Sequence, residues 1–289
     1  MSIRKERYTL TQSQKMMVFI LSMSLYGLSN MITELVPEFQ FGPIELSIEY
    51  FAFIPLTLCI LFHPLYAAIG ASLGEIIFGE LMLGQFGGFG ELEKFIAFSL
   101  AMYIAGILVR NPKSKGQVGV AAMTGVIIHQ AISAMVDMMK VWVGVEEFEA
   151  VPGLAESVLA VEGFSFLNDV LFSGILFALL PTLYLVPRLY GKIEPLLGMK
   201  PRDNKMSYSI GAIVGPRLVA GGIVLAIAAF FFEYLSESGF NWEWEADFLA
   251  MFGDNFIWVS IAVAAITALF TVIWMRKRKN DQGQQERVS

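Results

Sequence analysis

The segment AAIGASLGEIIFGE, residues 67–80, decides how this chain is read. It is a run of small and aliphatic residues interrupted by one acid, Glu75, with a second acid, Glu80, five positions on. In a soluble helix Glu75 belongs to a solvated face. In a membrane helix it is an expensive group, because a charge near the bilayer centre costs roughly 2.5–3.5 kcal/mol on insertion scales. The rest of the chain chooses between the two. Only 16% of its 289 residues are charged and 56% are hydrophobic, whereas about 25% of an ordinary soluble domain is charged. Mean hydropathy is +0.62, and apolar runs of about 20 residues recur along the length. The chain therefore reads as an all-α, polytopic membrane helix bundle, multi-pass in the cell membrane. The alternating pattern of an outer-membrane barrel is absent.

On a helix of about 3.6 residues per turn, Ala67, Gly70, Ala71 and Gly74 share one broad arc with Glu75. Ile69, Leu73, Ile76 and Ile77 share the opposite arc. Small faces are where membrane helices approach closely. The bulky arc is thus expected to meet lipid and Glu75 to point into the bundle. Two readings of Glu75 stand side by side: a ligand or proton site, or a structural acid that is protonated or bonded to a neighbouring helix.

Eight helices are expected, near 16–36, 46–62, 65–83, 92–110, 117–143, 165–189, 210–234 and 254–275. The basic N-terminus leads into an apolar run too long for a signal peptide, so this run reads as a retained first span. Eight crossings put Arg4, Lys5, Arg7, Lys15, Arg110, Lys113, Lys115, Arg188, Lys192, Lys200, Arg202, Lys205, Arg217 and the 276–279 basic run on one side. By the positive-inside rule that side is the cytoplasm, with both termini there. Lys94 and Lys140 are the exceptions, near the outer face. The acids gather outside, among them Glu34, Glu38, Glu45, Glu91, Glu93, Glu146, Glu147 and Glu149.

The domain organisation expected is a six-helix membrane domain over 1–190, a polar linker over 191–209, and a transmembrane hairpin with a basic tail over 210–289. Residues 144–164 are acidic and read as an interfacial helix or a loop. Residues 242–248, WEWEADF, read as an outer interfacial anchor. The loop GQFGGFGELE, residues 84–93, reads as a lid or as a plain flexible connection.

Polar residues in the outer half suggest a cavity open to the outside. Glu45 and Glu49 lie one turn apart on the second helix. His129, Ser133, Asp137 and Lys140 form a stripe on the fifth, where Asp137 and Lys140 can simply neutralise each other and His129 can be a core residue. Asn168 and Asp169 open the sixth helix; Asp254 and Asn255 open the eighth, or cap it. No Walker A or HExxH motif occurs. Two histidines and one cysteine cannot build a usual soft-metal site, so no metal or cofactor is expected, and nothing favours nucleic acid as a partner.

The stretch FIPLTLCILFHPLYAAIGASLGEIIFGE, residues 53–80, resembles the substrate-binding S components of energy-coupling factor (ECF) transporters. Pro55 stands at the central proline, His63-Pro64 replaces a Gly-Pro turn, and Glu75 sits where an acid is common. The stretch FLNDVLFSGILFALLPTLY, residues 166–184, is similar to the last helix of that family, with Asn168 and Pro181. The resemblance covers roughly residues 14–190. It implies a subunit that captures a vitamin or similar micronutrient from outside, then docks through the small face of its first helix on a T transmembrane subunit driven by two ATPase subunits. The first helix here carries Ser22, Ser24, Gly27 and Ser29 in place of the family's Ala-x-x-x-Ala, and the last two helices are additional.

The expected function is accordingly a non-enzymatic, substrate-capturing subunit of an ECF-type importer. Glu49, Glu75, Asp137, Asn168 and Asp169 are the candidate ligand contacts, for a cationic or zwitterionic solute. A stand-alone proton-coupled carrier or channel, using Glu75, His129 and Asp137, and a membrane scaffold are the alternatives.

Overall fold

The computed structural model describes residues 10–34, 39–41, 44–46, 50–84, 86–144, 147–148, 151, 154, 156–201 and 215–239, with isolated helical positions between 258 and 273. Glu49, the 202–209 part of the linker, the expected helix start at 210–214, residues 242–248, Asp254 and Asn255 lie outside the described residues.

Among the described residues eight α-helices follow one another: α1 Gln12–Glu34, α2 Phe53–Leu61, α3 Pro64–Gly74, α4 Gly90–Leu108, α5 Lys115–Val143, α6 Val158–Leu171, α7 Leu180–Leu189 and α8 Pro216–Glu237. α3 continues as a π-helix over Glu75–Leu81, and a second π-helix, Gly174–Leu179, joins α6 to α7. Four of the resulting rods are long and apolar enough to cross a membrane: Gln12–Glu34, Lys115–Val143, Val158–Leu189 and Pro216–Ser236.

Local chemistry sets several boundaries. α1 opens with a capping box: Gln14 N–H donates to Thr11 Oγ1 at 3.2 Å and Thr11 N–H to Gln14 Oε1 at 3.0 Å. α2 and α3 break at His63-Pro64, where His63 is extended and Pro64 starts α3, as proline demands of the residue before it. α5 ends on Gly144 at φ +79, the left-handed cap that glycine adopts without strain.

Two expectations are corrected. The second helix begins at Phe53, not near 46. Residues Phe39–Phe41 and Ile44–Leu46 form a two-stranded antiparallel ribbon with Gln40 opposite Glu45. Alternating FQF and IEL around the turn dipeptide Gly42-Pro43 is a hairpin pattern, so Glu45 lies on a strand. At nine residues α2 is about 14 Å long, roughly half a bilayer core. The sixth helix begins at Val158, so residues 158–164 extend a rod that reaches Leu189 instead of forming a separate interfacial segment. The first part of the linker is also built into the bundle. A 3₁₀ turn, Glu194–Leu197, buries Leu197, and Gln14 Nε2 donates to the Gly198 carbonyl at 2.7 Å.

α4 is the central helix, packed on α2, α3, α5 and α8, while α1 covers α3 and its π-helix. The α1–α3 contact is close because both faces are small. A β-carbon added at Gly70 would strike the Phe19 carbonyl, and one at Gly74 the Met23 carbonyl. Ser22 Oγ donates to the Ala67 carbonyl at 2.7 Å. The small arc of residues 67–74 is therefore buried as expected. Large apolar side chains instead face outward: Val120, Leu159 and Ile227 are all more than 60% exposed, an inside-out pattern that suits lipid.

Contacts between helix ends show the charge polarity of the bundle. At one end Gln14 meets Gly198, Lys15 stands over Tyr66 and Lys113 over Tyr190. At the other, Lys94 meets Glu80, and Lys140 meets Glu233. Bases collect at the first end and acids at the second.

Candidate functional site

The acidic end is organised around two lysines. Lys94, just past the first turn of α4, lies 3.0 Å from Glu80 at the end of the π-helix and 3.4 Å from Glu91. The π-helix widens the backbone from Glu75 onward and delivers Glu80 to this contact. Lys140, in the last turn of α5, lies 2.9 Å from Asp137 and 3.5 Å from Glu233 of α8. Glu93 stands between the two groups, within electrostatic range of Glu233, Asp137, Lys140 and Lys94. Glu75 belongs to the Lys94 side, within range of Lys94, Glu80, Glu91 and Glu34.

Six carboxylates, Glu75, Glu80, Glu91, Glu93, Asp137 and Glu233, thus meet two ammonium groups. Glu80, Glu91 and Glu93 are each at most 8% exposed. Glu91 Oε2 and Glu93 Oε1 are buried and accept no hydrogen bond. Buried carboxylate oxygens are normally satisfied, so an acid excess of this kind is fit to take up a positive group.

The loop over this end is tied down from both sides. Gly87 N–H donates to Glu91 Oε1 at 3.2 Å, and Ser236 Oγ of α8 donates to the Gly87 carbonyl at 3.3 Å. Gly84 and Gly88 take φ near +70, a conformation that favours glycine. The Gly-rich loop is therefore a covering anchored by α4 and α8.

In the bundle interior Tyr26 stacks on Phe98 with centroids 4.9 Å apart, and His129 presents its ring edge-on to Phe98 at 5.1 Å and Tyr50 at 5.5 Å. His129 Nδ1 is buried without a hydrogen-bond partner. His129 is thus packed among aromatic rings.

The four sequence candidates among the described residues, Glu75, Asp137, Asn168 and Asp169, fall in separate groups. Glu75 sits with Lys94. Asp137 is paired with Lys140, as the neutralising reading expected. Asn168 and Asp169 are neighbours on α6, Asn168 Nδ2 lying 3.5 Å from Asp169 Oδ1, and α6 packs on α5 and the ribbon, away from the α3–α4 seam that holds Glu75. Glu49 is outside the described residues. Glu91, Glu93, Lys94 and Glu233 were not among the candidates. Lys94 and Lys140 carried the one signal that could have found them, as the exceptions to the charge rule.

The small residues of α1 are not offered outward. Ser22, Ser24 and Ser29 are buried, and a β-carbon at Gly27 would strike Phe78 and the Gly74 backbone. GASLG, residues 70–74, has the letters of the nucleophile elbow G-x-S-x-G. That motif requires a strand-to-helix turn with an exposed serine. Ser72 is instead mid-helix, fully buried, and bonded to the Ala68 carbonyl and Ser99. Among the described residues no group of three His, Cys, Asp or Glu is placed to hold a metal ion.

Toward the basic end an apolar groove of about 300 Å³ lies between α1, α2, α7 and the 3₁₀ turn. It is not the polar outer cavity expected from the sequence.

Residues 17–284 match a protein family described as one of unknown function. No curated protein and no solved structure matches the chain.

Proposed function

The chain belongs to that family, DUF8171, and from this premise we propose that it is a membrane-embedded, substrate-capturing subunit that takes a cationic or zwitterionic solute at its acidic end. The observation that carries the reading is the excess of buried carboxylates around Lys94 and Lys140, with oxygens of Glu91 and Glu93 left without hydrogen-bond donors. A solute ammonium supplies those donors, and charged hydrogen bonds of this kind are the strong ones.

In this reading the bundle crosses the cell membrane with its basic end in the cytoplasm. α3 with its π-helix and α4 cross beside the four longer rods, the return from α1 to α3 that ends in the short α2 is a further pass, and residues 254–275 form the last of eight passes. Energy comes from separate subunits, a T transmembrane subunit and two ATPases of ECF type, since the sequence carries no Walker A motif. With the small face of α1 turned inward, those partners dock on another surface.

The test is extraction from the native membrane in mild detergent. The reading expects a further membrane chain and two ATPase chains to co-purify. A chain that emerges alone and moves solute or protons across liposomes without ATP overturns it in favour of an autonomous carrier.

A further inference from the structure

The apolar groove runs from Leu25 of α1 and Ile54 of α2 past Phe62 to Leu189 and Leu196. Ile54 and Phe62 are eight residues apart, about 12 Å along a helix, close to the roughly 15 Å that one leaflet contributes to the hydrocarbon core. The groove's volume is about 300 Å³ and its walls are almost wholly apolar, which suits a hydrocarbon chain of one leaflet. Well-packed interiors leave no trench of this size.

Its mouth is basic. Leu196, 48% exposed, opens it, and Lys192 and Lys200, both exposed, flank it four residues to either side in the chain. The Gln14–Gly198 hydrogen bond holds the first turn of α1 against the same 3₁₀ turn, and the next residue, Lys15, stands over Tyr66 of α3. The acid of that turn, Glu194, is fully buried, and its Oε2 accepts from Gly191 N–H at 2.8 Å, so the charged groups exposed along the turn are the lysines.

We propose that this groove binds an anionic phospholipid of the leaflet at the basic end, one acyl chain lying in the trench and the phosphate held among Lys15, Lys192 and Lys200. A neutral lipid satisfies the trench but not the rim; a free phosphate satisfies the rim but not the trench. Basic pockets between membrane helices on the cytoplasmic side are suited to anionic head groups. The inference stands independently of any solute at the acidic end.

The full chain is reconstituted in phosphatidylcholine vesicles with a minor fraction of phosphatidylglycerol, extracted in mild detergent, and its retained lipids are counted by native mass spectrometry. Phosphatidylglycerol is expected to be retained at least about fivefold over its share of the vesicle, and glycerophosphate is expected not to displace it. Leu25→Trp fills the trench and removes retention; Leu196→Asp at the exposed mouth does the same if the first variant fails to fold. Lys192→Ala with Lys200→Ala keeps a lipid but loses the preference, about fivefold per lysine. Equal retention of the two lipids overturns the proposal. So does retention unchanged by both groove variants, or their loss of a co-purifying membrane protein with lipid unaffected.

Discussion

Lys140 of α5 lies 3.5 Å from Glu233 of α8, with side chains only 12% and 15% exposed. The two residues are 93 positions apart. Their contact ties a helix outside the six-helix segment to the end of α5 and places a carboxylate beside Glu93. α8 is thereby part of the acidic site.

Breaking this pair has a defined cost. Removing one partner of a buried ion pair leaves an uncompensated charge and typically costs 3–5 kcal/mol. Asp137, 42% exposed, remains on Lys140 and softens the loss. Glu233→Gln is expected to lower stability by about 1–2 kcal/mol. A double-mutant cycle with Lys140→Met, read by denaturant unfolding in detergent, should give a coupling of similar size.

The α1–α3 seam should be sensitive to a single methyl group. Gly74→Ala places a β-carbon against the Met23 carbonyl, and neither backbone can yield cheaply. The expected loss is about 1–3 kcal/mol. Gly163→Ala is the control: its β-carbon meets nothing within 4 Å, and helix propensity alone should raise stability by up to about 1 kcal/mol. Thermal unfolding of the two variants checks the pair.

Thr57 gives a prediction of opposite sign. It is 5% exposed and its hydroxyl accepts or donates no hydrogen bond. An unsatisfied buried hydroxyl costs about 1–3 kcal/mol, so Thr57→Val is expected to raise the unfolding temperature.

Lys94 is half exposed, with its acids Glu80 and Glu91 nearly covered. Its contribution is therefore partly screened. Lys94→Gln is expected to destabilise by about 1 kcal/mol, and Glu80→Gln in the same chain should recover part of the loss. The effect should shrink as salt is raised.

Much of this arrangement was legible in the sequence because hydropathy and helix period are local properties. The 67–74 small arc, the break at His63-Pro64 and the span of α5 follow from spacing alone. The ribbon at 39–46 was missed because each strand is only three residues long, too short for a two-residue period to stand out, although Gly42-Pro43 carries a turn signal. The site was legible only in part. Glu75 was found from its cost in a membrane. Its partner Lys94, and the Lys140–Glu233 contact, depend on which helices are neighbours in space, which no period encodes. Asn168 and Asp169 shared the outer half with Glu75 by depth, but lie on another side of the bundle.

Glu93 offers the most direct test of the central claim. Its Oε1 is buried without a hydrogen-bond donor among like charges, so Glu93→Gln should leave the fold intact or firmer, as neutralising a strained functional acid does. The measurement is the small molecule released on denaturing protein purified from its own membrane, compared with the Glu93→Gln variant at equal folded amount. The account predicts a cationic or zwitterionic compound in stoichiometric amount from the native protein and its loss from the variant. A compound retained equally by both, or none from either, would contradict it.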